Sequence, residues 1–238
     1  MTKSCHSSFA ILVSSFPSCR AASLAAEKAM LHLASWIRES DDANFTQFLA
    51  PHGDIRLNNA RLAPVDLEAM EALMVTGGPD VSAQYHSEPP TRPEMIEDAE
   101  PERDAWEFAA LSAAYSRGLP IFCICKGIQA LNLFLGGSLL LDIPGHNLPE
   151  MKTHEVQPLR YAAGARHRFD LVNSSHHQAL DRVADALEVE AWHAGDGIIE
   201  QARIRDYPWG LGVQYHPERG AIYTPLFEEF FAQIRARR

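Results

Sequence analysis

Short, nearly unbroken apolar runs alternate with longer stretches of helical period through the first 140 residues of the chain. Residues 9–13, Phe-Ala-Ile-Leu-Val, read as a first strand behind a loose leader at residues 1–8. Residues 21–37 read as a helix with Ala26, Met30, Leu33 and Ile37 on one face. Residues 72–76 make a compact apolar run closed by Gly77-Gly78-Pro79-Asp80, a strand ending in a tight loop. Four prolines (Pro89, Pro90, Pro93, Pro101) and several acids predict an exposed loop over 86–101. Pro101 suits the first turn of the next helix, with Glu102 and Asp104 near its positive end. Trp106, Ala109, Ala110 and Ala113 give that helix an apolar face, and Gly118 and Pro120 stop it. Residues 119–124 are the next strand and residues 126–135 the next helix, ended by Gly136-Gly137.

The second half is richer in strands. Residues 187–192 alternate apolar and polar, as a half-exposed strand does, and residues 210–215 form another strand running into His216-Pro217-Glu218. A final helix is marked by Thr224 as its cap, Pro225 in its first turn, and Arg235, Arg237 and Arg238 at its negative end. Strand–helix alternation of this kind predicts a doubly wound α/β fold, a mostly parallel sheet with helices on both faces. With no linker visible, residues 9–238 are read as a single domain.

Composition narrows the function. A chain of 238 residues with 46% apolar positions can bury a full core without a metal or disulfide staple. Its net charge of −10 disfavours nucleic acid, which needs a basic stripe. No apolar run approaches ~18 residues, so no membrane span is expected. Four cysteines (Cys5, Cys19, Cys123, Cys125) are too few for a secreted disulfide scaffold, which favours a reducing cytoplasm.

The chemistry concentrates where the apolar strand at 119–124 runs into Cys125-Lys126-Gly127-Ile128-Gln129 with almost no loop. A residue at such a junction is bent sharply and lifted above the strand's carboxyl end, the logic of a nucleophile elbow. At a helix N-terminus its sulfur meets the positive end of the dipole, and free N–H groups can hold an oxyanion. An inert buried cysteine is the alternative reading, and for Cys123 it is the preferred one. A base should come from elsewhere in the chain. His216 follows directly on a strand with Glu218 two residues on, an acid able to orient the ring, although a plain surface turn fits the same residues.

Cys125-Lys-Gly-Ile-Gln129, Val172-Asn-Ser-Ser-His-His-Gln178 and Val213-Gln-Tyr-His-Pro-Glu218, in that order, resemble the class I glutamine amidotransferase-like superfamily, with its flavodoxin-like fold. The nearest branch resembles the gamma-glutamyl-gamma-aminobutyrate hydrolases. Thr76-Gly-Gly-Pro-Asp80, Arg103-Asp104, Gly136-Gly137-Ser138-Leu139 and Asp196-Gly-Ile-Ile-Glu200 add to the likeness, which spans roughly residues 70–230. The resemblance implies a triad of Cys125 as nucleophile, His216 as base and then acid, and Glu218 as orienting acid. It implies an oxyanion hole from the backbone of Gly78 and Lys126, and substrate contacts at Gly77, Gln129, Ser174 and His176. The family usually has glycine two positions before the nucleophile. Cys123 stands there instead, so the turn is expected to be slightly reshaped.

The implied reaction is thioester-mediated hydrolysis of a small gamma-glutamyl amide, with no cofactor and no metal, and a homodimer is a frequent form of this branch. One alternative is a glutaminase subunit feeding ammonia to a partner synthase. Another is a non-enzymatic relative that binds a gamma-glutamyl ligand. Zinc held by Cys123, Cys125, His176, His177 and His216 is disfavoured by the Cys-x-Cys spacing. His146, His154, His167 and His193 are expected on the surface or in loops.

Overall fold

The computed structural model describes Met1 and residues 30–86, 88–90 and 92–238. Residues 31–238 form one compact unit. The expected leader, the strand at 9–13, the start of the helix at 21–37, Cys5 and Cys19 lie outside the described residues.

Among the described residues, nine strands make the main sheet: β1 (Leu31–Ser35), β2 (Ile55–Asn59), β3 (Ala72–Val75), β4 (Ile121–Ile124), β6 (Gln157–Tyr161), β7 (Leu171–Val172), β9 (Leu187–His193), β10 (Ile199–Ile204) and β11 (Gly210–Val213). Their order is β2-β1-β3-β4-β11-β10-β9-β6-β7. The first five are parallel throughout, and from β10 onward each pairing is antiparallel. Two short strands, β5 (Leu139–Leu140) and β8 (Ala179–Leu180), pair separately. The helices are α1 (Asp42–Leu49), α2 (Pro101–Ser116), α3 (Lys126–Phe134) and α4 (Thr224–Arg235).

Strands β3, β4 and β11 are buried at every position, which is why they read as continuous apolar runs. Their side chains alternate between two cores. Ala72, Met74, Phe122 and Ile124 pack with Phe45 and Phe48 of α1 and with Leu226, Phe227, Phe230 and Phe231 of α4. Leu73, Val75, Ile121 and Cys123 pack on the opposite face with Ala110, Leu111 and Ala114 of α2 and with Ile128 and Leu131 of α3. The sheet is therefore covered by helices on both faces, as the alternation predicts.

Three local expectations change. Residues 31–35, expected as the end of a helix, are strand β1, wedged in parallel between β2 and β3. A short apolar run fits either period, and here the neighbouring strands decide it. In α2, Ala109 is exposed, while Arg103, Asp104 and Glu107 are buried, so the inward face is rotated towards charged residues. Thr224 does not cap α4; it is the helix's first residue, and its hydroxyl donates to the Ala221 carbonyl. None of the helices in the described residues is long and apolar enough to cross a membrane.

Phe227 joins α4 to the sheet and to α1: its ring stacks on Phe48 at 4.1 Å and meets Phe122 edge-on at 5.5 Å. Phe227→Ala is expected to lower the unfolding free energy by about 3–5 kcal/mol in urea denaturation. A loss under ~1 kcal/mol would mean that this face carries little of the stability.

Candidate active site

Strand β4 delivers Cys125 and the adjacent parallel strand β11 delivers His216, both beyond the carboxyl edge of the sheet. Cys125 has φ 52° and ψ −109°, a conformation that L-residues avoid at a cost of about 1–3 kcal/mol. Neighbouring backbone holds it: its N–H donates to Val213 O at 2.8 Å and its carbonyl accepts from Ile128 N at 3.1 Å. Gly127 lets α3 start so close to the sheet, because a Cβ there would collide with the Val75 carbonyl.

The His216 ring and Cys125 line the same cleft and both flank Gly77. Its Nδ1 meets Glu218 Oε1 at 2.7 Å, with both side chains buried. Burial alone would lower the ring's pKa, but the Glu218 carboxylate and the Cys125 sulfur outweigh it and raise the pKa to about 10. Burial pushes Glu218 up, and the His216 charge overcomes that and holds it below the usual carboxylate range. The surroundings therefore favour the charged form of the His216 ring, paired with Glu218 and beside Cys125. Cys123 differs. It points into the opposite core, where burial and then the Glu107 charge keep its thiol well above the ordinary range, an inert packing residue.

Asn173 sets the height of His216. Its Oδ1 accepts from His216 N and its Nδ2 donates to His216 O, both at 2.9 Å. Asn173 lies within the motif at residues 172–178, which by itself assigns it no role. Its position immediately before the serine–histidine block was the available signal.

A second missed group is a buried charge cluster beneath the site. Lys126 Nζ donates to Asp104 Oδ1 at 2.5 Å and to Glu107 Oε2 at 2.6 Å. Arg103 donates from Nε to Glu107 Oε1 at 2.7 Å and from Nη2 to the carbonyls of Thr76 and Gly77 at 3.0 and 2.9 Å. The cluster therefore ties the Gly77-Gly78 loop, α2 and the first residue of α3 together. Gly77 also lies against the reactive pair. A Cβ there would stand 2.8 Å from His216 Cε1 and 3.7 Å from Cys125 Cβ, so a side chain would wedge the ring away.

A cleft of about 520 Å³ opens over Cys125, Gly77, Gly78 and His216, with Arg38, Lys152 and Arg219 on its wall. A lobe of about 250 Å³ continues past Cys125 and Gly78 to Gln129, His176 and Asp80. Of the expected substrate contacts, Gly77, Gln129 and His176 reach this space, and Ser174 does not. Its hydroxyl donates inward to His146 O at 2.6 Å, and the wall position belongs to Ser175. Gln129 donates to Gln178 O at 3.0 Å. His146, expected at the surface, is 1% exposed because it packs under this lobe against His176, 4.9 Å between ring centres.

The arrangement has counterparts. The family model described as Peptidase C26 matches residues 55–218. A Mycobacterium tuberculosis protein named as a candidate glutamine amidotransferase is 38% identical over 174 residues, 68% of this chain and 55% of that protein, so this chain spans about half of that relative's length. The gamma-glutamyl-gamma-aminobutyrate hydrolase of Escherichia coli O157:H7 is 32% identical over 189 residues, 69% of this chain and 72% of the relative. The solved structure of a glutamine amidotransferase from Thermotoga maritima superposes with a TM-score of 0.57 at 15% identity, over 88% of this chain and 85% of that one. That likeness speaks to the fold.

Two outcomes test the electrostatics. Lys126→Met strands two buried carboxylates and is expected to cost about 3–5 kcal/mol in urea denaturation; a loss near zero would dissolve the cluster as a structural element. Because the His216 pKa is raised, its contribution to stability is complete below its ordinary 6.5 and is lost as pH rises through about 10. Because the Glu218 pKa is lowered, its contribution is complete above its ordinary 4.5 and is lost as pH falls below that. Glu218→Gln should therefore differ from the parent protein most between pH 4.5 and 6.5 and converge with it towards pH 10. In a nuclear magnetic resonance titration its His216 midpoint should fall, and an unchanged midpoint would refute the pairing.

Proposed function

Because this chain belongs to the Peptidase C26 family, we propose that it is a cysteine-dependent hydrolase cleaving the gamma-glutamyl amide bond of a small gamma-glutamyl compound. The observation that carries this reading is the strained Cys125 lying beside the Glu218-bound ring of His216. In this mechanism Cys125 Sγ attacks the side-chain amide carbonyl. The negative oxygen forms against backbone N–H groups of Gly78 and Lys126; the first N–H groups of α3 have no partner within the helix. His216 gives its proton to the departing amine as the C–N bond breaks, leaving a gamma-glutamyl thioester. The now neutral ring takes a proton from water, whose oxygen attacks the thioester, and glutamate leaves as the thiolate returns.

The two parts of the cleft suit the two halves of such a substrate. The lobe at Gln129 and His176 takes the glutamyl half. The larger part, with Arg38, Lys152 and Arg219 on the wall of a protein of net charge −10, takes an amine half that bears a carboxylate.

A release assay over a panel of gamma-glutamyl amides tests this reading. Cys125→Ala is expected to lose at least ~10³-fold in rate, and equal turnover would overturn the nucleophile. Arg38→Ala should raise KM roughly tenfold for amides whose amine half carries a carboxylate, and leave uncharged amides alone. Turnover of glutamine alone, and only with an added synthase, would replace this reading with an ammonia-delivering subunit.

A further inference from the structure

Beneath the smaller lobe of the cleft, three buried side chains turn their electron pairs on one another. Glu200, on β10, is 0% exposed, and neither of its carboxylate oxygens accepts a hydrogen bond from a described residue. His146 Nδ1 and His176 Nε2 each stand 3.4 Å from Glu200 Oε1. All three ligand atoms lie within 4.8 Å of one another.

In the neutral rings, the contacts on their far sides decide which nitrogen carries the proton. His176 Nδ1 meets the Gln178 carbonyl at 2.9 Å, and a carbonyl only accepts, so in the neutral ring Nε2 presents its lone pair to Glu200. His146 Nε2 meets Asp196 Oδ2 at 2.9 Å, which leaves Nδ1 as the inward lone pair. Asp196 is itself fixed by His193 Nδ1 at 2.7 Å and Ile198 N at 3.1 Å. A histidine held from behind by a carboxylate or a backbone carbonyl, with its other nitrogen aimed at a shared point, is the outer-shell pattern of a metal ligand. The two spacings to Glu200 agree: ligands about 2.0–2.1 Å from a tetrahedral zinc are about 3.4 Å apart.

We infer that His146 Nδ1, His176 Nε2 and Glu200 form a binding site for one zinc-class divalent cation. Two imidazoles and a carboxylate suit zinc or a neighbouring borderline ion rather than calcium or magnesium. Gln157 Nε2 donates to His146 Nδ1 at 2.7 Å and must turn aside when the ion enters; its Oε1 has no hydrogen-bond partner to lose. The three ligands come from the segment before β6, the segment before β8 and β10. The ion would therefore clamp the wall on which His176 sits. It contains no sulfur ligand and takes no part in the thiol chemistry above, so the two assignments stand or fall separately.

The test uses the full chain, stripped with a chelator, desalted and titrated with ZnCl2 by calorimetry and with CoCl2 by absorption. One equivalent should bind to the parent protein and to Cys125→Ala alike, and Glu200→Gln should weaken binding by at least about 100-fold. The cobalt form of the parent protein should show visible bands of tetrahedral coordination without a thiolate charge-transfer band, a readout that needs no variant to fold. Absence of saturable binding, binding undiminished in Glu200→Gln, loss of binding in Cys125→Ala, or a thiolate band would each overturn the site.

Discussion

Four charges buried under the cleft, those of Arg103, Asp104, Glu107 and Lys126, hold the walls of the cleft together. Each is taken from water, which costs several kcal/mol per ion, and is tolerable only because opposite charges meet at 2.5–2.7 Å. The return is positional. Arg103 reaches the carbonyls of Thr76 and Gly77, on the loop that borders the reactive sulfur. Lys126 is the residue next to that sulfur and anchors to the same helix. One helix, α2, thus sets the distance between the Gly77-Gly78 loop and the turn that carries Cys125.

The opposing arm is built with neutral hydrogen bonds. His216 leaves β11 and is caught on both backbone sides by the Asn173 amide. Asn173 N in turn donates to the Tyr223 hydroxyl at 3.1 Å, which links the catch to the aromatic cluster under α4. Strain at Cys125 is sustained because its N–H is spent on the sheet. Ionic clasp on one side and amide catch on the other leave little freedom between sulfur and ring.

Legibility in the sequence followed the physics of each element. Strands β3, β4 and β11 announce themselves because parallel strands buried on both faces must be apolar throughout. Helix α2 announces its ends through Pro101 and Gly118, but its inward face escaped because the acids there, Asp104 and Glu107, are neutralised by Lys126, a partner distant in sequence. Strands β1 and β2 are short and carry His32 and Arg56, so neither period dominates. Cys125, His216 and Glu218 stood out because a strand-to-helix junction and a strand-to-turn junction constrain their positions locally. Asn173 and the Lys126 side chain act only through tertiary hydrogen bonds, which no local pattern reports, and so does the link from Glu107 to Lys126. His146 was misplaced for the same reason: Asp196, His176 and Glu200, which hold it inside, arrive from later in the chain.

Cys125 and His216 hang from neighbouring strands whose spacing is set by the ladder between Ile124 and Val213 rather than by any loop. The rim, by contrast, is contributed by Arg38, Lys152 and Ser175 from segments that run outside this ladder. The sulfur–imidazole pair and the rim of the cleft are thereby mounted on separate parts of the chain. A descendant or a designer can exchange the rim while inheriting the placement of sulfur and imidazole unchanged, which makes this scaffold a socket with replaceable jaws.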